Sequence, residues 1–206
     1  MQFLLSVKGD FKESWKFIGA DMYSIKQYTN LLIFLEEEKG NNDMQDKIKI
    51  LFICHGNICR SPMAEFVMKK LVSDAGLTAR FQIASAATST EEIWNGIGNP
   101  VYPPAKAELA RHGISCEGKR ARQVTRADYA EYDYLIGMDG ANIRNMLRIF
   151  GGDPEGKVAK LLSYAGSDRD ISDPWYTGEF GTTYNDVLEG CTAFLRYLQQ
   201  NGRIDM

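Results

Sequence analysis

Apolar and polar positions along residues 46–206 follow two alternating periods, which predicts strands and helices in turn. Short apolar runs with the composition of buried strands lie at 47–53, 81–87, 133–138 and 158–162. Between them, apolar side chains recur at helical spacing over 61–75, 104–112, 142–150 and 181–200, with a short helical turn at 126–131. This order predicts an α/β fold, a three-layer sandwich with a central four-stranded parallel sheet and helices on both faces.

Residues 1–45 lie outside this alternation and form a separate N-terminal extension, ahead of a domain at 46–206. The extension has a short helix predicted at 28–39 and then a Gly-Asn-Asn-Asp linker. It carries too many large apolar side chains for a disordered tail. Three interpretations stay open: a packed extension, a segment for self-association, or a start-site artefact with Met44 as the natural first residue.

Composition and charge exclude several classes of protein. The net charge is −3 and no basic run stands out, which argues against a nucleic-acid partner. No apolar stretch approaches the roughly 18 residues that span a membrane, and the N-terminus lacks the apolar core of a secretory signal. The four cysteines have neither zinc-site nor disulfide spacing, which favours a reducing, cytoplasmic location. We expect no metal, no cofactor, no membrane partner, and a monomer or weak homodimer.

Residues 54–62, Cys-His-Gly-Asn-Ile-Cys-Arg-Ser-Pro, carry the clearest chemistry in the chain. They join the end of the first predicted strand to a helix predicted to be capped by Ser61, with Pro62 at its first position. The N–H groups of such a loop and of a helix start form a cradle for phosphate oxygens, and the same field stabilises a thiolate at Cys54. Arg60 adds a planar fork that binds two phosphoryl oxygens. The loop follows the carboxyl end of a strand predicted to be central, and parallel sheets bind their ligands at that end of their strands.

The loop and the later motifs resemble the low-molecular-weight protein tyrosine phosphatases. The matching segments, in the family's order, are 54–62, 85–89, 111–114, 121–124, 133–139 and 173–176. The resemblance implies hydrolysis of phosphotyrosine in protein substrates through a cysteinyl-phosphate intermediate, with Cys54 as nucleophile and Arg60 as phosphate clamp. It also implies that Asp173 protonates the leaving oxygen and then activates water, and such proton transfer contributes roughly 10²–10⁴-fold to the rate. The implied phosphate-binding residues are His55, Gly56, Asn57, Ile58, Cys59 and Arg60.

The resemblance assigns supporting roles to residues around this loop. Asn57, in a left-handed conformation that Asn tolerates, and Ser85 are expected to hold the loop rigid through their side chains. Ser61 is expected to donate to the sulfur of Cys54, a role compatible with helix capping. Asp139 matches an aspartate near the family's site, and a role as a strand-end cap stays equally open.

Aromatic residues are expected to select the ester. Trp175 and Tyr176 resemble the family's wall beside the catalytic acid, and Trp94 is either the opposite wall or a packing residue. A deep slot between aromatic rings would accept a flat aryl phosphate and exclude the shorter phosphoserine. The sequence departs from the family at Lys119-Arg120, where a histidine is common, and this puts one structural contact in doubt.

Two alternatives concern the reaction, and one concerns its regulation. A protein-arginine phosphatase has the same loop, although Ile58 favours phosphotyrosine because relatives with Thr there prefer phospho-arginine. Arsenate reductases share the fold but need a closely spaced second cysteine pair, and Cys116 and Cys191 lie far apart in the sequence. In relatives that have cysteines at the positions of both Cys54 and Cys59, oxidation joins the two thiols and protects the nucleophile from irreversible oxidation. Cys59 as a small space-filling residue stays equally open.

Overall fold

The computed structural model describes residues 47–205 of the chain. Two short 3-10 turns, at Thr78–Arg80 and Leu161–Ala165, occur among its helices and strands. The helices and strands of this range are, in order, β1 (Ile48–Cys54), α1 (Arg60–Asp74), β2 (Phe81–Ala87), β3 (Ile93–Trp94), β4 (Ile97–Gly98), α2 (Pro103–Arg111), α3 (Arg126–Glu131), β5 (Tyr134–Gly137), α4 (Gly140–Phe150), β6 (Val158–Lys160), α5 (Pro174–Thr177) and α6 (Phe180–Gln200). The predictions made for residues 1–45 lie outside the described residues.

Four parallel strands form the main sheet in the order β2-β1-β5-β6, which puts β1 in its interior. Successive side chains of β1 point to opposite faces, as in any strand. Ile50 and Phe52 pack in the apolar core shared with α1, α2 and α6, whereas Leu51 and Ile53 pack in the core shared with α4. The sheet therefore lies between two layers of helices, and the predicted three-layer α/β sandwich is confirmed.

The structure corrects three details of the predicted elements. The strand predicted at 158–162 ends at Lys160, because Leu161 and Leu162 are buried in a 3-10 turn instead of pairing in the sheet. A hairpin, β3–β4, lies where no strand was predicted, and its two-residue turn is the Asn95-Gly96 pair with positive φ angles of 49° and 77°. Asn-Gly is the strongest short-range hairpin signal. The third difference is α5, a single short helix directly after Asp173.

Across residues 47–205, no helix combines the length and the apolar composition that a membrane span requires.

Candidate active site

The site is built on the loop that connects β1 to α1. This loop turns sharply because Asn57 has a φ of 58°, in the left-handed region that Asn tolerates better than most residues. The turn brings the N–H group of Asn57 to 3.3 Å from the sulfur of Cys54, and both residues are buried. The thiol thus sits at the bottom of a concave loop that directs hydrogen-bond donors towards it.

The start of α1 differs from the sequence prediction in a way that serves this site. The helix begins at Arg60 with Cys59 at the capping position, and no side chain caps it. Ser61 was predicted both as the cap and as a partner of the Cys54 sulfur; it does not cap the helix, and its hydroxyl lies 3.0 Å from that sulfur. Helix starts leave their first N–H groups without intrahelical partners, and an anion can bind to such groups.

The side chain of Asn57 holds the loop from within. Its Nδ2 atom donates to the hydroxyls of Ser61 and Ser85, each at 2.8 Å. Its Oδ1 atom accepts from the backbone N–H of Arg122 at 3.2 Å, which fixes the orientation of the amide. Because both N–H donors of this buried amide are used and its oxygen accepts a third hydrogen bond, the loop has one preferred arrangement. The contact predicted between Asn57 and Ser85 is present.

Two carboxylates hold the guanidinium of Arg60. Its Nη1 atom donates to Asp139 Oδ2 at 2.5 Å and to the carbonyl of Ile171 at 3.1 Å, and its Nη2 atom donates to Asp173 Oδ2 at 2.5 Å. Burial alone would lower the pKa of Arg60, but the charges of Cys54 and Asp173 outweigh burial and raise it. Arg60 is therefore a fixed, charged donor at the base of the site.

Asp139 and Asp173 each combine two contacts. Asp139 caps α4, accepting the N–H of Asn142 at 2.6 Å, while its other oxygen holds Arg60. The sequence left open a strand-end cap or a place near the site; in the structure Asp139 caps a helix and contacts Arg60. Asp173 caps α5, accepting the N–H of Trp175 at 3.1 Å, while its other oxygen also holds Arg60.

One cavity is lined both by residues of the loop and by residues more than a hundred positions later in the sequence. The aromatic residues Trp175 and Tyr176 form part of its rim, and the ring of Trp175 rests on Tyr102 with centroids 5.0 Å apart. Tyr176 is 85% exposed, so it has free surface for a ligand. The lining residues are Cys54, His55, Gly56, Ile58, Cys59, Arg60, Glu91, Glu92, Asp173, Trp175 and Tyr176.

Trp94 has neither of the two roles that the sequence left open for it, the opposite wall or a packing residue. Trp94 is not among the residues that line the cavity, and it is 72% exposed on β3. The turn before β3 instead brings Glu91 and Glu92 to the cavity, and Oε2 of Glu91 lies 2.9 Å from Nε2 of His55. Sequence reasoning missed both glutamates because nothing in the local pattern distinguishes them from solvated loop charges.

Cys59 lies in the same cavity but differs from Cys54 in its surroundings. Burial, and then the negative charge of Cys54, raise the pKa of Cys59 to about 12. Cys59 is therefore a thiol at neutral pH. Among residues 47–205, no group of three or more His, Cys, Asp or Glu side chains is arranged to hold a metal ion.

Comparison with known proteins gives consistent matches over the described domain. The family model for low molecular weight phosphotyrosine protein phosphatase matches residues 49–204. The low molecular weight protein-tyrosine-phosphatase YfkJ of Bacillus subtilis is 37% identical over 159 residues, which cover 76% of this chain and 99% of YfkJ. The low molecular weight phosphotyrosine protein phosphatase of Rattus norvegicus is 40% identical over 151 residues, covering 71% of this chain and 92% of the rat protein.

Solved structures agree with these sequence matches. The crystal structure of YfkJ superposes with a TM-score of 0.72 at 36% identity, over 77% of this chain and 98% of YfkJ. The crystal structure of a Drosophila arginine phosphatase superposes with a TM-score of 0.64 at 28% identity, over 72% of this chain and 96% of that one.

Proposed function

The chain belongs to the low molecular weight phosphotyrosine protein phosphatase family, and we propose that Cys54, Arg60 and Asp173 carry out its hydrolysis of phosphotyrosine. It is a protein tyrosine phosphatase, a hydrolase of phosphoric monoesters. One observation carries the assignment of residues: a thiol, a guanidinium and a carboxylate line the same cavity, and the carboxylate bonds to the guanidinium. That set supplies a nucleophile, a clamp for phosphoryl oxygens and a proton donor.

The reaction takes two displacements at phosphorus. In the first, the sulfur of Cys54 attacks while the bond to the tyrosyl oxygen breaks, and Asp173 gives its proton to that oxygen. In the second, Asp173 takes a proton from water, the water oxygen attacks phosphorus, and the sulfur of Cys54 leaves as a thiolate. The products are tyrosine and inorganic phosphate. The hydroxyl of Ser61, 3.0 Å from the sulfur, stabilises the departing thiolate.

We propose that binding of the substrate exchanges an ion pair at Arg60. In the free enzyme, an N–H of the Nη2 atom donates to Asp173, and a phosphoryl oxygen held by the fork competes for that donor. The exchange releases the carboxyl of Asp173 from Arg60 once phosphate is in place, and Asp173 can then approach the leaving oxygen to which it gives its proton.

Turnover of aryl phosphates tests this proposal directly. We expect purified protein to hydrolyse para-nitrophenyl phosphate and phosphotyrosine peptides, with inhibition by vanadate and none by EDTA. Vanadate mimics a phosphoryl group that the loop and Arg60 bind, whereas the proposed chemistry uses no metal. Loss of turnover in EDTA, restored by added metal, would contradict the proposed mechanism.

Phospho-arginine is the second candidate substrate, because the chain is similar in structure to an arginine phosphatase. Ile58, which lines the cavity, offers an aryl ring an apolar contact and offers a guanidinium no hydrogen bond. We therefore propose a preference for phosphotyrosine, to be measured as the ratio of kcat/KM for matched phosphotyrosine and phospho-arginine peptides. Arsenate reduction gains no support, since Cys116 and Cys191 are both buried and only Cys54 and Cys59 line the cavity.

A reducing, cytoplasmic location fits a nucleophile that must stay a thiolate, and we propose it on that ground. The proposed partner is a phosphotyrosine-containing protein. A monomer or weak homodimer stays a prediction.

The Cys54 and Cys59 pair predicts a reversible response to peroxide. Peroxide oxidises the thiolate of Cys54 first, and the thiol of Cys59 then condenses with the sulfenic acid to give a disulfide and water. We expect thiol reductant to restore activity in the parent protein but to restore much less in Cys59→Ser, whose sulfenic acid oxidises further. Equal recovery in the two proteins after identical peroxide exposure would leave Cys59 with a space-filling role.

A further inference from the structure

A second cavity adjoins the active-site cavity and shares one residue with it. His55, which follows Cys54 in the chain, lines both. The second cavity has a volume of about 340 Å³, which is within the range of sites that bind small groups of atoms. Apart from His55, its lining residues have no part in the reaction proposed above. They are His55, residues 88–90, Gln123, Asn145, Arg148 and Ile149.

Backbone hydrogen bonds fix the second cavity relative to the phosphate-binding loop. The N–H group of Thr88 donates to the carbonyl of Cys54 at 2.9 Å, and the N–H group of Ser89 donates to the carbonyl of His55 at 3.0 Å. Consecutive residues of an extended peptide advance by roughly 3.3–3.6 Å. When the loop holds the phosphoryl group of a substrate, residues close to the phosphotyrosine can therefore reach the second cavity past His55.

The side chains that line the second cavity suit an anion. Arg148 supplies a positive charge, and none of the described residues that line this cavity has a carboxylate. Its Nη1 atom donates to Asn145 Oδ1 at 3.2 Å, and no carboxylate within residues 47–205 forms an ion pair with it. A guanidinium has five N–H donors, so several remain for a ligand. Glu91, whose Oε2 atom lies 2.9 Å from Nε2 of His55, lines the active-site cavity and not this one.

We propose that the second cavity binds an acidic side chain of the protein substrate, close in sequence to the phosphotyrosine, and that Arg148 selects it. The proposal rests on the function proposed above and concerns which phosphotyrosine sites the enzyme prefers. Arg148 donates to the carboxylate, and the amide of Gln123 adds a further N–H donor. The negative charges of Glu91 and Glu92 disfavour an acid within the active-site cavity, so they favour a peptide whose acid lies towards Arg148.

Kinetics with matched phosphopeptides test the proposal. Each peptide has one phosphotyrosine and one Asp, placed in turn at the nearest positions on either side, and is compared with the peptide that has Asn there. We expect one position at which Asp raises kcat/KM of the parent protein about three- to fivefold at low ionic strength, as a partly exposed ion pair does. The gain should appear in KM and not in kcat, because the contact is the same before and during the reaction. Added salt should weaken it.

Variants of two exposed arginines on α4 identify the residue responsible. Arg148→Met should remove the preference for Asp, and Arg148→Glu should replace it with a preference for Lys at the same position. Arg144 lines neither cavity, so Arg144→Met should keep the preference of the parent.

Turnover of the Asn peptides by the parent protein separates this proposal from the proposed function. If those peptides are hydrolysed but Asp gives no advantage at any position, the reaction stands and the acid-binding cavity is refuted. A preference that persists in Arg148→Met, or that is lost equally in Arg144→Met, would also overturn the proposal. If no phosphotyrosine peptide is hydrolysed, the proposed function fails and this proposal fails with it.

Discussion

A Cys54→Ser variant is expected to lose turnover of para-nitrophenyl phosphate by a factor on the order of 10⁴ or more, because its hydroxyl does not ionise near neutral pH. The side chain is buried and nearly the same size after the change, so the fold should persist. The N–H group of Asn57 and the guanidinium of Arg60 remain in place to hold an anion. Binding of inorganic phosphate, measured by calorimetry, should therefore survive the loss of turnover.

A second cysteine provides the control for this experiment. Cys116 is buried like Cys54 but does not line the cavity, so Cys116→Ser should retain parental turnover. Persistent activity in Cys54→Ser would refute the assigned nucleophile. Loss of phosphate binding together with activity would indicate instead that the sulfur is needed to shape the loop.

The parts of the fold that could be predicted are those that depend on short segments of the sequence. The strand and helix around the loop follow from apolar spacing, and Cys54 and Arg60 are close enough in sequence for one turn to bring them together. Asp173 lies far along the chain, and its place in the site was predicted only through the family resemblance. The structure puts it there because the chain before α5 runs past Arg60, whose side chain holds the carbonyl of Ile171 and the carboxylate of Asp173.

What could not be predicted depends on how separate segments pack. The contact of Ser61 with the sulfur of Cys54 was expected from the family resemblance, but not that its hydroxyl accepts from Asn57 and leaves α1 without a side-chain cap. A histidine is common in the family at Lys119-Arg120, and this difference put one structural contact in doubt. In the structure, Lys119 pairs with the buried Glu65 of α1, a pair that the spacing of the two residues in the sequence gives no reason to expect. Glu91 and Glu92 line the cavity from the turn before β3, whereas Trp94, within the hairpin, is exposed and does not line it.

An Asp173→Asn variant is expected to hydrolyse phosphotyrosine roughly 10²–10⁴-fold more slowly, because the amide has no proton to give to the leaving oxygen. Tyrosine leaves as a phenolate whose conjugate acid has a pKa of about 10, so it needs that proton. Para-nitrophenolate is already stable as an anion, and its ester should slow much less. The amide oxygen can still accept the N–H of Trp175, which preserves the start of α5.

The same variant tests the ion-pair exchange at Arg60, which makes it more informative than loss of activity alone. Asp173 competes with the phosphoryl group for the Nη2 atom of Arg60, and a neutral side chain competes less. Asp173→Asn should therefore bind vanadate and phosphate more tightly, by about tenfold if the ion pair is worth about 1.4 kcal/mol. Asp170→Asn is the matched control, because Asp170 pairs with Lys160 and does not line the cavity. Equal slowing of both esters together with unchanged anion affinity would leave Asp173 as a helix cap and remove it from the chemistry.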